Sequence, residues 1–368
     1  MGSTSGSYES AVVSGDAMTE TSTRESRGWI PLEIAEYAVL RASVAALGRL
    51  SHPRALDVGA AIGEVYGRVA RSLRLKPHRV AETNLEIAFP DLPFAERDLI
   101  RRRMWRNWGR MLIDVTRLGR LDATGLKEIV RLDPQDAPAE IFRRAREGGS
   151  LVLTAHFGSF ELLHAGCAAH GYPITLVHRT LPNRLVDAWL TRLREGAGSH
   201  VLRRGAAARE ILRALREGRV VALPFDQRAR GGSAVFVPFF GIPAATNSGV
   251  ARLAAASGAP VFPAVLVRDG DSTHHRALFG PEIDLVRSAD READVFENSR
   301  RLNAALERLI REHPDHWIWM YSRWKRNPAG LPSPYRSDGP PVAVLRELAA
   351  QSTGTGTARS TMRSSLDS

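Results

Sequence analysis

The sequence predicts an α/β fold, a central, largely parallel or mixed sheet flanked by helices, with amphipathic helices leading into it. Three observations predict this. From about residue 150, short apolar runs of strand length alternate with helical patterns. Before that point the patterns are helical. The chain of 368 residues, 43% hydrophobic and 25% charged, is long enough to bury one large core. One folded domain is expected over residues 29–331, with a helical part over 29–120 and an α/β core over 150–328.

Residues 1–28, rich in Ser, Thr, Gly and acidic groups, read as a disordered leader without the basic start and apolar run of a signal peptide. Met1-Gly2 opens like a myristoylation site, but Gly6 stands where Ser or Thr is required. Between Ile30 and Leu50, Ile34, Tyr37, Ala38, Leu40, Ala45 and Leu47 fall at helical spacing, broken by Arg41 and Arg49. Two readings stand together: a helix packed on the core, and a helix lying in the plane of a membrane surface. No stretch reaches the roughly 20 apolar residues of a membrane span.

Leu56-Asp57-Val58-Gly59-Ala60-Ala61-Ile62-Gly63 is similar to the glycine-rich turn of nucleotide-cofactor methyltransferases. Ala61 occupies the middle position, where the backbone needs to approach the cofactor. Gly59, Gly63 and Gly67 instead share one helix face, which favours close packing on a neighbouring helix. Arg97–Leu118 carries a stripe of Trp105, Trp108, Met111, Leu112 and Val115, crowded by Arg101, Arg102, Arg103, Arg106 and Arg110. Those arginines read either as a solvated face or as a surface for anions.

Strands are expected at Ser150–Thr154, Ile174–Val177, Val220–Phe225 and Val261–Val267, with a further one at Trp317–Met320. Helices are expected at Phe160–His170, Arg184–Glu195, Ala206–Glu217, Ser248–Ser257 and Glu292–His313. Residues 332–368 read as a mostly disordered tail, with a short helix at Val342–Ala350.

The net charge of +11 favours an anionic partner, whether nucleic acid, anionic lipid or an acidic carrier protein. No nucleic-acid-binding motif accompanies it. Cys167 is the single cysteine, which excludes a disulfide framework and a zinc cluster of cysteines.

The chemistry centres on Leu151-Val-Leu-Thr-Ala-His156-Phe-Gly-Ser-Phe-Glu161. A buried strand ends, a Gly-Ser turn follows and a helix opens, with Ser159 a suitable N-cap. Ligands of open α/β sheets bind beyond the carboxyl ends of strands, where His156 stands. Glu161, in the first helical turn, is expected to fold back and fix the imidazole tautomer. The free N–H groups of that turn suit a phosphate or a developing oxyanion. No second histidine stands at i+4, so no metal site is expected.

His156-Phe-Gly-Ser-Phe-Glu161 resembles the His-X4-Asp/Glu signature of glycerolipid and lysophospholipid acyltransferases, and within them the late lipid A acyltransferases. Further blocks carry the same resemblance in order: Thr83-Asn84-Leu85 to Pro90, Val177-His178-Arg179 to Asn183, Leu223 to Gln227 with Val235 to Thr246, and Glu312 to Lys325. Ser159-Phe160 and His178 depart from the commoner residues. The resemblance covers residues 32 to 328. It implies a membrane-associated O-acyltransferase of the cytoplasmic face of a bacterial inner membrane, held peripherally by anionic lipids. The acyl donor is a thioester of acyl carrier protein or coenzyme A, a co-substrate, with no cofactor. The acceptor is a glycolipid, foremost a lipid A precursor, with phosphatidylinositol mannoside or another glycolipid or lysophospholipid as alternative.

The same resemblance implies that His156 deprotonates the acceptor hydroxyl, oriented by Glu161, with no acyl-enzyme. Arg179, Asp226, Gln227, Arg228, Ser159 and Asn183 are then substrate-binding candidates. For Arg179 and Asp226 a structural salt bridge is the competing reading. Phe236, Phe239 and Phe240 are candidates for an acyl pocket or simply for the core. Two readings of other classes remain beside it: a methyltransferase, and a lipid-binding protein without catalysis that tolerates loss of His156.

Overall fold

The computed structural model describes residues 31–203, 207–336 and 339–354. The expected leader, and the tail from 355 onward, lie outside the described residues. Four helices come first: α1 (Pro31–Leu47), α2 (His52–Ser72), α3 (Lys76–Ala88) and α4 (Phe94–Arg117). Pro53 and Pro77 sit in the first turns of α2 and α3, where a missing N–H costs no helical bond. α1 contains no fully buried residue, but Leu47 at its end and Leu50 just beyond it are partly buried against Ala55, Leu56 and Ile113, so the segment Ile30–Leu50 meets the core only at its end.

α2 and α4 pack through glycine. A Cβ on Gly63 would lie 2.1 Å from the Trp105 carbonyl oxygen, and one on Gly109 would lie 2.0 Å from that of Gly59. The segment resembling a cofactor turn is therefore mid-helix, and its glycines let two backbones touch.

α5 (Ala123–Ile129) leads into the sheet. There follow β1 (Val130–Asp133), α6 (Ala137–Gly148), β2 (Ser150–Thr154), α7 (Phe160–Ala169), β3 (Thr175–His178), α8 (Arg184–Gly196), β4 (His200–Arg203), α9 (Ala207–Arg216) and β5 (Val220–Pro224). A hairpin of β6 (Ala234–Phe239) and β7 (Ile242–Asn247) comes next. The chain continues through α10 (Gly249–Ser257), β8 (Val261–Arg268), β9 (His275–Phe279), α11 (Arg291–Glu312) and α12 (Val342–Gly354).

Seven strands form one sheet in the order β1-β9-β8-β2-β5-β3-β4. The run from β8 to β4 is parallel, and β9 turns back antiparallel on β8 with β1 parallel to it. β8 is buried along its whole length, and β2 and β5 along all but their last residue, as parallel strands covered on both faces must be. β2 and β5 pair from Ser150 opposite Val220 to Thr154 opposite Pro224. Continuing that register, His156 and Asp226 leave the sheet side by side.

Three expectations change. Trp317–Met320 is not a strand; it makes a lone antiparallel bridge, Trp317 to Phe157, and sinks Trp317 and Trp319 into the core. The strands β1, β4, β6, β7 and β9 were not expected; in β1, β4 and β9 the runs are short and broken by charged or histidine residues, so they show no clear apolar run. The domain limit at 331 cuts off packed chain: Val342, Leu345 and Ala349 of α12 are buried in the same cluster as Trp317 and Phe239.

Candidate active site

His156 stands two residues past β2, in a turn that only glycine closes. Gly158 has φ +52°, and a Cβ there would lie 2.2 Å from the Leu266 carbonyl oxygen. The Gly158 N–H donates to the His316 carbonyl at 2.8 Å, which fixes the turn against the loop after α11. The imidazole pairs with Asp226 at the end of the adjacent strand. Nδ1 lies 2.9 Å from Asp226 Oδ1, and the His156 backbone N–H donates to Oδ2 at 3.2 Å. Trp317 Nε1 donates to the same Oδ2 at 3.1 Å.

Asp226 is thus a fully engaged, buried acceptor. It requires the proton of the ring on Nδ1 and leaves Nε2 as the free base. Nε2 faces outward with only Gln227 Nε2 beside it, at 3.4 Å, and the His156 side chain is 30% exposed. Burial draws the imidazole pKa down, but the charge and hydrogen bond of Asp226, helped by the charge of Glu161, carry it above the ordinary value.

The alternative nucleophiles are disabled. Cys167 is buried, and burial pushes its thiol up to about 12. The Ser159 hydroxyl is buried and donates to Asp114.

The sequence of residues 32–326 matches the family model described as bacterial lipid A biosynthesis acyltransferase. The chain belongs to that family. Among its relatives, the lipid A biosynthesis palmitoleoyltransferase of Escherichia coli is 26% identical over 286 residues, covering 74% of this chain and 87% of the relative. The lipid A biosynthesis lauroyltransferase of the same organism is 27% identical over 278 residues, with the same coverage. A lipid A biosynthesis acyltransferase of Haemophilus influenzae is 24% identical over 271 residues, covering 73% of this chain and 84% of the relative.

In this acyltransferase Glu161 does not bond His156, contrary to expectation. Its side chain points behind the site, where Arg194 Nε donates to Oε2 at 2.9 Å and Arg194 Nη2 donates to Oε1. His164 Nε2 lies 3.3 Å from Oε2. Arg194 also reaches His178 Nδ1 at 2.7 Å, and His178 Nε2 meets Asp187 at 2.6 Å. Glu161, Arg194, His178 and Asp187 form a largely buried hydrogen-bonded chain. The spacing to His156 suggests proximity, and the charge of Glu161 does act on the imidazole, but its hydrogen bonds go to Arg194 of α8 and His164 of its own helix.

Burial raises the Glu161 carboxyl, yet Arg194 and His164 hold it down to about 2. A depressed carboxylate contributes stability above its unfolded pKa, and that contribution is lost as pH falls toward 2. Glu161→Ala strands Arg194, only 11% exposed, without its partner. The variant is expected to lose about 3–5 kcal/mol of folding stability in urea melts at neutral pH. A loss below about 1 kcal/mol, the scale of an exposed pair, would show that Glu161 does not anchor Arg194.

Other expected site residues divide sharply. Gln227 stands beside Nε2. Arg228 lies over the Tyr321 ring at 5.5 Å and donates to its hydroxyl at 3.4 Å. Arg179 is exposed, one residue past β3, on the same sheet edge as His156 and Asp226. Asn183 is used up structurally. Its Oδ1 caps α8 by accepting from the N–H groups of Leu185 and Val186, and its Nδ2 donates to Glu33 and Glu36 of α1.

Ser159 does not cap α7 with its side chain, because the hydroxyl is committed to Asp114. Phe239 and Phe240 do not line an acyl pocket. They are 0 and 1% exposed, packed on one another and on Trp317, Trp319 and Trp324. Phe236 is half-buried under Arg326.

Sequence reasoning missed a second buried node. Asp114 of α4 accepts from Ser159 and Arg268, and His52 Nε2 lies 3.4 Å away. It joins the first residue of α2, the end of β8 and the active-site turn. Burial raises its carboxyl, but Arg268 and the two histidines His275 and His52 hold it far below the usual range. An aspartate in the apolar stripe of α4 was the available signal.

Proposed function

We propose that this chain transfers a fatty acyl group from an acyl carrier protein thioester to a hydroxyl of a lipid A precursor, with His156 as general base. The supporting observation is the pairing of His156 Nδ1 with the buried Asp226, which leaves Nε2 unprotonated at the open edge of the sheet. Nε2 takes the proton of the acceptor hydroxyl as its oxygen bonds to the thioester carbonyl carbon. The C–S bond then breaks, and the departing thiolate takes the proton from His156. Asp226 holds the tautomer and stabilises the imidazolium between the two transfers. The Gln227 amide, beside Nε2, and the first turn of α7 offer neutral donors suited to a developing oxyanion. Arg179, on the same edge, supplies a charge suited to a phosphate of the acceptor or the donor.

The lipid A biosynthesis activities of the relatives support the acceptor, and the net charge of +11 suits both an acidic carrier and an anionic lipid. The site acts from the cytoplasmic face of an inner membrane, approached peripherally; no helix among the described residues is long and apolar enough to cross a membrane.

The test is acyl transfer by the purified protein, read by mass spectrometry. Carrier-protein and coenzyme A thioesters are paired with a lipid A precursor, a phosphatidylinositol mannoside and a lysophospholipid. The expected product is an acylated lipid A precursor formed from the carrier-protein thioester. Product on another acceptor alone would replace lipid A precursor as the substrate, and no product with any pair would sink the catalytic reading.

A further inference from the structure

α2 is built inside out. Its buried face is Leu56, Gly59, Ala60, Gly63, Gly67 and Ala70, almost all small. Apart from Leu56, its large aliphatic side chains, with Leu73 just past its end, face away from the protein. Val58, Ile62, Val65, Val69 and Leu73 are between 37 and 67% exposed. They stand at i, i+4, i+7, i+11 and i+15, one continuous stripe about 22 Å long at the helical rise. Isolated exposed aliphatics are ordinary, but a contiguous stripe of this length marks a surface that is covered in use. Small residues at the helix contact and large apolar ones outside are the arrangement of helices whose surroundings are apolar.

The flanks identify those surroundings. Arg54, Arg68, Arg71 and Arg74 are exposed along and beyond the same helix, and Lys76 follows them. The acidic residues of the helix are Asp57, which is exposed, and Glu64, which is occupied by Arg68 and Arg106. These charges rule out a span and suit a helix lying flat among anionic headgroups. Tyr66, also partly exposed, packs on Trp105 and Trp108 at the margin of the stripe, an aromatic position typical of a membrane boundary. The helix is also linked to the active-site turn through a buried aspartate. His52, its first residue, meets Asp114, which accepts the Ser159 hydroxyl three residues from His156.

We propose that the outward face of α2 is the surface by which this acyltransferase docks on an anionic lipid bilayer, bringing the His156 turn to the headgroup level. The choice of a bilayer as occupant rests on the reading of the chain as an enzyme of lipid acceptors. Docking through α2 places its aliphatic stripe among the acyl chains and its arginines among phosphates.

The test is flotation of the full-length protein with vesicles of phosphatidylethanolamine and phosphatidylglycerol, and with vesicles of phosphatidylcholine alone. The wild type is compared with a fourfold variant, Val58→Thr, Ile62→Thr, Val65→Thr and Val69→Thr. Threonine keeps the branching and nearly the helix propensity while removing apolar surface. The wild type is expected to float with the anionic vesicles and less with the neutral ones. The variant is expected to bind at least about tenfold more weakly, since interfacial binding scales with buried apolar area. Its thermal midpoint and its turnover on detergent-dispersed acceptor stay at the wild-type level.

A wild type that does not float, or a variant that floats equally well, overturns the proposal. So does a wild type that sediments as a dimer and a variant that sediments as a monomer with unchanged flotation, which would make the stripe a self-interface. Failure of the acyltransferase reading is seen separately, as absent turnover in detergent for both proteins.

Discussion

His156→Ala is expected to lower turnover by about 10³-fold, within the range that a positioned general base contributes, while the protein remains folded. The side chain is 30% exposed and packs only edge-on against Phe160, so its loss opens no large cavity. What the variant lacks is the unprotonated imidazole nitrogen at the open sheet edge. Neither Cys167 nor Ser159 is free to replace it. The affinity for acceptor is expected to change little, because the imidazole acts on the proton and not on the lipid. Steady-state kinetics check this: a fall in KM-dependent rate with kcat preserved would show that His156 binds substrate and does not transfer protons.

Asp226→Asn is expected to be nearly as damaging, by about 10²-fold or more in kcat, and it carries a distinct pH signature. In the wild type the imidazole pKa is raised, so the base becomes active only above the free-imidazole value, and the rate climbs through a pH above about 6.5. Without the carboxylate, burial, the largest influence on the ring, outweighs the charge of Glu161, itself opposed by Arg194, and favours the neutral form. The acid limb of the kcat profile therefore moves to lower pH in the variant, even as the plateau drops. The plateau drops because an amide that donates to Nδ1 turns the ring over to the other tautomer and puts the proton on Nε2. A limb that stays in place would mean that Asp226 does not face the catalytic base during turnover.

Much of this arrangement was legible in the residues. β2, β5 and β8 announced themselves as apolar runs because they are buried on both faces, and the Gly-Ser turn after β2 marked where a side chain would emerge. His156 was singled out at a strand end, whereas Asp226, just past another, was read as a substrate-binding or salt-bridge residue and not as the partner of His156. What the sequence did not carry was direction. Glu161 lies five residues from His156, which sets a neighbourhood, but the first turn of a helix allows the carboxylate to face either the sheet edge or the next helix. Arg194 decided the matter from 33 residues further on, and one arginine in a chain so rich in them carries no label. Phe239 and Phe240 show the same limit, since apolarity marks burial without telling a core from a pocket. His178, which stood out as a departure, is the hydrogen-bonded link between Arg194 and Asp187. Ser159 likewise looked like a cap from its position alone, and only the fold brought Asp114 within its reach.

The alignment of Thr154 with Pro224 has a consequence for how such a site persists through change. His156 and Asp226 are 70 residues apart along the chain, yet their separation in space is set by one backbone ladder and by equal two-residue overhangs. Loops between them can lengthen or shorten without moving either group, provided the ladder does not slip. A slip of one residue would turn every side chain of the strand to its opposite face and scatter the pair at once. The site is therefore robust to insertions and brittle to sliding.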